Sequence, residues 1–265
     1  MSNFMLLIRN ENMKIYRRLR TWIMFGILVA ILLAIDIGAK LIGGGDANNW
    51  NMMQINSAVL FSIVTIFTVV VSADSVAGEF SSGTIKLLLI RPWSRSKILL
   101  SKYISLLLFA LIMAALLFVL SLFVNIALFG YDGSADVVQR VLHVDRDMTP
   151  LAFMLIYYID QFVALIVTVT LSFMLSTVFR SGGLAIGLSL FLLLGGSTIT
   201  GLLTLLHKKW VDYVLFLHMN LAQYLTNSPV KEGMTIGFSL GVLAVYYIVF
   251  VAITWIIFNK RDVAG

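Results

Sequence analysis

The chain contains no cysteine. That excludes a disulfide framework, a thiolate nucleophile and any metal site built on thiolates. Its three histidines, His143, His207 and His218, are too scattered to suggest a metal cluster. Charge is scarce too: 12% of the 265 residues are Asp, Glu, Lys or Arg, against roughly 25% in soluble domains. So few polar side chains cannot clothe a soluble surface. No G-x-x-x-x-G-K-[ST] occurs, so the chain lacks a phosphate-cradling loop of that type, and no H-E-x-x-H occurs either.

Apolar residues fill the gap. They make up 60% of the chain, above the roughly 45–50% of soluble domains. A soluble enzyme, a disordered chain and a secreted disulfide module are thereby excluded, which leaves a polytopic membrane protein. Nineteen Lys and Arg against thirteen Asp and Glu give a net charge of +6. In a soluble protein that excess would point to nucleic acid. Here it has a topological cause, because basic residues gather in cytoplasmic loops, and no nucleic-acid partner is expected.

Runs of about twenty apolar residues can cross a hydrocarbon core as helices. Six are present: Trp22–Ile42, Ile55–Ala73, Tyr103–Phe129, Leu151–Phe179, Gly183–Leu206 and Ile236–Phe258. The third and fourth exceed what a perpendicular helix needs, so they are expected to tilt or protrude. No internal repeat and no Pro/Ser-rich linker divides the chain. Residues 1–265 read as one all-α transmembrane domain. Six spans put both termini on one side, with Arg9, Lys14, Arg17, Arg18, Arg20, Lys86, Arg91, Arg95, Lys97, Lys102, Arg180, Lys260 and Arg261. The other side has Lys40, Arg140, Arg146, Lys208, Lys209 and Lys231. Thirteen cations against six place both termini in the cytoplasm. The first span is too long for a signal-peptide core, and Gly43–Gly45 followed by Asp46 is no cleavage site, so the chain is expected to stay anchored.

Residues 3–20 mix apolar and basic side chains. Phe4, Ile8, Ile15 and Leu19 can share a helical face, with Arg9, Lys14, Arg17 and Arg18 largely elsewhere. Such a helix can lie at the membrane interface with its cations near anionic headgroups. It reads either as a topology anchor or as a lever that couples to a partner.

The stretch Glu79–Lys102 reads EFSSGTIKLLLIRPWSRSKILLSK. Ser81, Ser82 and Gly83 form a turn-like break, after which Thr84 can cap a short helix ending at Leu89 or Ile90. Pro92 disfavours helix at Arg91 and can itself open the next one. The expected product is a short cytoplasmic element, apolar over Leu87–Ile90 and basic at its rim. It suits either a plug for a groove on a soluble partner or an interfacial connector.

On Glu79, Gly83, Thr84, Leu87–Leu89, Pro92, Ser94, Arg95 and Lys102 the chain resembles the membrane permease subunits of type-2 ABC transporters. In that family the loop after the second span reads Glu, Gly-Thr, a Leu-rich turn, Pro-x-Ser-Arg and a distal Lys. Six spans, cytoplasmic termini and a basic amphipathic helix before the first span extend the likeness to nearly the whole chain. The resemblance implies that the loop is a coupling helix docked in a cleft of a separate nucleotide-binding subunit. Glu79, Gly83, Thr84, Leu87, Leu88, Arg91, Pro92 and Arg95 would then receive the ATP-driven stroke. It implies no cofactor on this chain, with ATP and Mg²⁺ on the partner ATPase. It also implies a second permease copy or a sister permease, and outward transport across a bacterial plasma membrane. The apolar helix faces suit a hydrophobic or amphipathic cargo such as a peptide or antibiotic. Asp74 and Glu79 bracket the joint, where they can pair with Arg91 or Arg95 or stay solvated.

Within the spans, Asp36 and Lys40 stand four residues apart on one helical face, where they can pair or snorkel. Asp160, flanked by Tyr157, Tyr158 and Gln161, is a functional candidate if it lies deep and a boundary residue if its helix protrudes. Gly183 and Gly187 allow close helix packing, and Gly195–Gly196 can kink a helix. The outer segment 207–235, with Trp210, Tyr213, Phe216 and Leu217, resembles the short outer or re-entrant helices that precede the last span of type-2 permeases. An aromatic interface belt accounts for it nearly as well.

Two other function classes fit less well. A secondary transporter or a membrane sensor without ATPase coupling is the first alternative, but neither repeats nor clear midplane carboxylates are evident. An intramembrane protease is the second. Gly43–Asp46 and Tyr131-Asp132 carry its acid motifs only in outer loops and in reversed order, and Gly187-Leu188-Ser189 lacks a histidine in another span to act as base.

Overall fold

A computed structural model of the chain describes residues 3–42, 48–84, 93–134, 138, 148–206, 208–226, 231 and 233–260. Among these residues there are seven α-helices: α1 Asn3–Tyr16, α2 Leu19–Ile42, α3 Asn49–Ser81, α4 Arg95–Phe129, α5 Pro150–Val178, α6 Gly182–Thr204 and α7 Ile236–Lys260. Three short 3-10 turns, Lys209–Tyr213, Leu215–His218 and Leu221–Tyr224, lie between α6 and α7. Helices α2 to α7 are each long and apolar enough to cross a membrane.

Small oxygen-bearing side chains start four of these helices. Asn48 accepts the Trp50 N–H of α3, Ser94 the Lys97 N–H of α4, Thr149 the Ala152 N–H of α5, and Ser181 the Leu184 N–H of α6. Each satisfies a donor that has no intrahelical partner, and Pro150 occupies the first turn of α5, where its missing N–H costs nothing.

Several boundaries differ from the sequence expectation. Helix α3 overruns the expected Ile55–Ala73 at both ends, and α4 starts at Arg95 rather than Tyr103. The last eight residues of the Glu79–Lys102 loop, Arg95 to Lys102, are therefore helix, opened by the Ser94 cap. The interfacial helix expected over residues 3–20 ends at Tyr16. Thr21 Oγ1 donates to the Ile15 carbonyl at 2.6 Å and Trp22 Nε1 to the Tyr16 carbonyl at 2.9 Å. These bonds take up carbonyls at the end of α1 and turn the chain into α2. Among its described residues the outer segment forms three short 3-10 turns.

Helix α3 packs against α2, α4, α5 and α6, and α5 against α3, α4, α6 and α7, so these two form the centre of the bundle. Leu60 and Val64 of α3, Phe109 and Met113 of α4, and Phe153 and Met154 of α5 are fully enclosed in one apolar core. Lipid tails are as apolar as leucine, so close packing and interhelical hydrogen bonds hold such a bundle together. Ser72 Oγ of α3 donates to the Val169 carbonyl of α5 at 2.9 Å, and Ser57 Oγ meets the Tyr158 hydroxyl at 2.9 Å. Tyr103 of α4 meets Thr170 of α5 at 2.8 Å.

The C-terminal end of α7 meets the start of α4, where Arg95 Nη1 donates to the Asn259 carbonyl at 3.2 Å, and α1 meets α4 two turns on, where Lys102 Nζ donates to Glu11 Oε2 at 2.9 Å. The turn between α5 and α6 lies at this terminal end too, since Gly182 N donates to Ser81 Oγ at 3.0 Å. At the opposite end Trp50 Nε1 donates to the Asp132 carbonyl at 2.5 Å and Lys40 Nζ to the Leu128 carbonyl at 2.8 Å.

Candidate functional site

At the terminal end, α1 is tied to α3 and α4 by a buried ionic joint. Lys102 lies two turns into α4 and its side chain is 3% exposed. Its ammonium reaches Glu79 Oε1 at 2.6 Å, Glu11 Oε2 at 2.9 Å and the Ser75 carbonyl at 3.2 Å. An ammonium has three protons, and all three are used. Lys14 closes the set from the more exposed side, at 2.7 Å from Glu11 Oε1 and 3.0 Å from Glu79 Oε1. Two ammonium groups thus face two carboxylates. A buried charge survives only when paired and hydrogen-bonded in this way.

Titration follows the geometry. Burial pushes the Glu11 carboxyl up, but Lys102 and Lys14 together outweigh it and hold it below its ordinary value of 4.5. Burial pushes Lys14 down, while hydrogen bonding to Glu11 and the charges of Glu11 and Glu79 carry it above its ordinary 10.5. Glu79 Oε2 is buried with no hydrogen-bond partner among the described residues. It borders a cavity of about 40 Å³, enough room for water to satisfy it. Beside the joint, Asp74 of α3 holds both Arg18, at 2.5 Å, and Arg20, at 2.8 Å. The turn between α1 and α2 is thereby fastened to the same helix.

The structure brings together only part of the residue set expected from the sequence. Glu79 is in the joint. Gly83 follows α3 with a φ of +70°, a conformation that favours glycine, so the expected break is present. Thr84 Oγ1 meets Ser82 Oγ at 2.9 Å. The short helix it was expected to cap, with Leu87, Leu88, Arg91 and Pro92, lies outside the described residues. Arg95 opens α4 and reaches α7. Asp74 and Glu79, expected to pair with Arg91 or Arg95 or to stay solvated, pair among the described residues with Arg18, Arg20, Lys14 and Lys102, while Arg91 lies outside them.

Asp36 and Lys40 do not pair with each other. Asp36 ends a buried stripe of α2 (Thr21, Met24, Leu28, Leu32) and its Oδ1 accepts from Asn56 Nδ2 of α3 at 2.6 Å. Lys40, one turn farther out, snorkels to the exposed end of α4. Asp160 is buried in α5, and its Oδ2 has no partner among the described residues. No observed contact joins it to Asp36.

Sequence reading missed Glu11 and Lys14 as site residues, and used Lys102 only as a motif end. One signal was available: Glu11 is the only acidic residue before Asp36, set among cations from Arg9 to Arg20. His218 was also missed. It is fully buried, with Nδ1 2.7 Å from Ser239 Oγ and Nε2 2.8 Å from the Asp212 carbonyl, so it pins the outer turns to α7.

Residues 23–264 match the family described as Protein of unknown function (DUF2705). The chain belongs to this family. A Bacillus subtilis (strain 168) protein, the uncharacterized YhcI, is 33% identical over 98% of this chain and 99% of its own length. The uncharacterized membrane protein YdbK of the same organism is 28% identical over 95% of this chain and 99% of its own length. With its six apolar helices, this DUF2705 member is a multi-pass membrane protein. Its α2 to α7 fall almost wholly within the matched residues, whereas α1, with Glu11 and Lys14, precedes them.

Proposed function

We propose that this DUF2705 protein is the permease subunit of an ATP-driven exporter of the type-2 ABC kind. It would form half of the transmembrane pathway and take its stroke from a separate ATPase. The observation that carries the reading is the ionic joint. Lys102 and Glu79 flank the loop expected to dock into the ATPase, and both are bonded to Glu11 of α1 or to its partner Lys14. A push on that loop therefore reaches α1, α3 and α4 together. Rigid elements coupled through a packed joint transmit such motion as a body.

In this reading both termini and the joint face the cytoplasm of a bacterial cell, and ATP and Mg²⁺ are held by the partner. A second permease copy, or a sister permease, supplies the other half of the path, and the cargo is hydrophobic or amphipathic. The test co-expresses and reconstitutes the full chain with candidate ABC ATPases encoded in the same genome. Leu88→Asp, or deletion of residues 83–90, is expected to leave membrane insertion intact. ATP hydrolysis by the complex should then become independent of cargo and transport should stop. Normal transport by these variants overturns the docking role, and cargo movement by the chain with no nucleotide-hydrolysing partner overturns the proposal.

A further inference from the structure

The cations between residues 9 and 20 divide into two sets. Lys14, Arg18 and Arg20 are taken by Glu11, Glu79 and Asp74. Arg9 and Arg17 are exposed, and neither guanidinium makes a hydrogen bond or ion pair among the described residues. Both line an open groove of about 540 Å³ between α1 and α4. They sit eight residues apart, about 12 Å along the axis, close enough for two long side chains to converge on one anion.

The rest of the groove is not a generic apolar surface. Met5, Leu6 and Met13 of α1 and Leu108 of α4 supply exposed apolar walls, which continue along α4 through the exposed Leu111 and Ile112. Between the two arginines, Asn12 Oδ1 and the Tyr16 hydroxyl are buried and unpartnered among the described residues. Burial holds the Tyr16 hydroxyl above its ordinary pKa of 10.0, so it remains a donor. Both residues line the groove, but these two atoms are closed off from it, Tyr16 with its ring against Phe109. Buried polar atoms are ordinarily satisfied, so a side-chain rotation that opens them to a polar ligand in the groove is favoured.

We infer that the α1–α4 groove is a binding site for an anionic, hydroxyl-bearing phospholipid of the phosphatidylglycerol type. Each part of that molecule has a counterpart. The phosphate meets Arg9 and Arg17, since guanidinium groups match phosphate oxygens. A headgroup hydroxyl donates to Asn12 Oδ1, and Tyr16 donates to a phosphate or ester oxygen. One acyl chain runs along Met13, Leu108 and Ile112. Phosphatidylcholine offers neither net negative charge nor a hydroxyl donor, so it fits the walls but not the polar end. The inference rests on α1 and α4 alone and holds whether or not an ATPase partner exists.

The test is native mass spectrometry of the full-length protein from nanodiscs of equal phosphatidylglycerol and phosphatidylcholine. The wild type is expected to retain phosphatidylglycerol at least about fivefold over phosphatidylcholine, a modest gain for two charge-assisted contacts. Arg9→Gln with Arg17→Gln should abolish that preference. Leu108→Trp, which fills the apolar wall, should reduce retention of both lipids. Lys208→Gln with Lys209→Gln, at the other end of the molecule, should change nothing. Free glycerol 3-phosphate should fail to displace the lipid, and displacement by it would assign the arginines to a soluble phosphate and overturn the lipid site. Equal retention of the two lipids by the wild type, a reading that needs no variant to fold, also overturns it.

Discussion

Lys102 and Glu79 are 23 residues apart in sequence and 2.6 Å apart in space, one at each root of the loop that leaves the terminal end of the bundle. The bond closes that loop with a charge-assisted hydrogen bond in a largely buried setting. Such bonds are shorter and stronger than neutral ones. It also fixes the spacing between the end of α3 and the first turns of α4. Glu11 reaches the same ammonium from α1, so three helices share one cation.

Removing that cation should therefore be costly. Lys102→Met leaves Glu11 and Glu79 facing each other with only the half-exposed Lys14 between them. Breaking a buried pair costs about 3–5 kcal/mol, which should appear as a marked loss of thermal stability in detergent. Lys102→Met combined with Glu79→Met should recover most of it, because an apolar pair of similar volume carries no desolvation penalty. A loss below about 1 kcal/mol, the level of a surface pair, would show the joint to be solvated.

The joint also sets a pH window. The Glu11 carboxyl is held below 4.5, so its contribution is complete above that value and is lost as pH falls through its lower folded value. Lys14 is held above 10.5, so its contribution is complete below that value and is lost as pH rises through its higher folded value. The protection factor of the α1 amides, their exchange rate referred to the intrinsic rate at the same pH, should be flat between these limits and fall beyond each. Glu11→Gln should erase the acid limb and leave the alkaline limb in place, with reduced amplitude from Lys14. An acid limb of unchanged size in Glu11→Gln would assign the effect to another carboxylate.

Most of the bundle was legible because the hydrocarbon core imposes long apolar runs, and α5 and α7 start within a residue of the sequence expectation. The ends of α3 and α4 were not. Hydropathy stops reporting at Asp74 and Lys102, yet the helices continue, because Arg18 and Arg20 at the turn into α2 pair Asp74 and Glu11 of α1 pairs Lys102. Asp36 and Lys40 show the same limit within one turn. Spacing put them on one face, but each found a better partner on a neighbouring helix. Glu79 could be singled out from its motif. Its partners could not, since Glu11 and Lys14 lie 68 and 65 residues away and only tertiary packing brings them together.

Gly196 was read as a place where α6 could kink, but the structure gives it another role. A Cβ there would lie 2.5 Å from Phe216 of the outer turns, closer than real contacts allow. Gly196→Ala should gain about 1 kcal/mol of helix propensity and lose about 1–3 kcal/mol to overpacking. A net loss of thermal stability is expected. In a Phe216→Ala background the clash disappears and the same change should become stabilising. That reversal of sign is the measurement to make, and a Gly196→Ala effect of the same sign in both backgrounds would rule out the wedge.

Orientation can be measured directly because the natural chain has no cysteine, so every introduced thiol is unique. Ser82 lies in the exposed turn after α3, at the terminal end, while Tyr131 is 63% exposed at the opposite end, beside Asp132. The excess of Lys and Arg is on the terminal side, and that asymmetry directs a segment to the cytoplasm. In intact bacterial cells a membrane-impermeant maleimide should therefore label Tyr131→Cys and spare Ser82→Cys. Opening the cells should expose Ser82→Cys to the same reagent. Helix α3 and the start of α4 are joined through Glu79 and Lys102, so Ser82 reports for the whole joint. Labelling of Ser82→Cys from outside would put the joint on the wrong face for any ATP-hydrolysing partner. The lipid groove between α1 and α4 would then open to the outer leaflet.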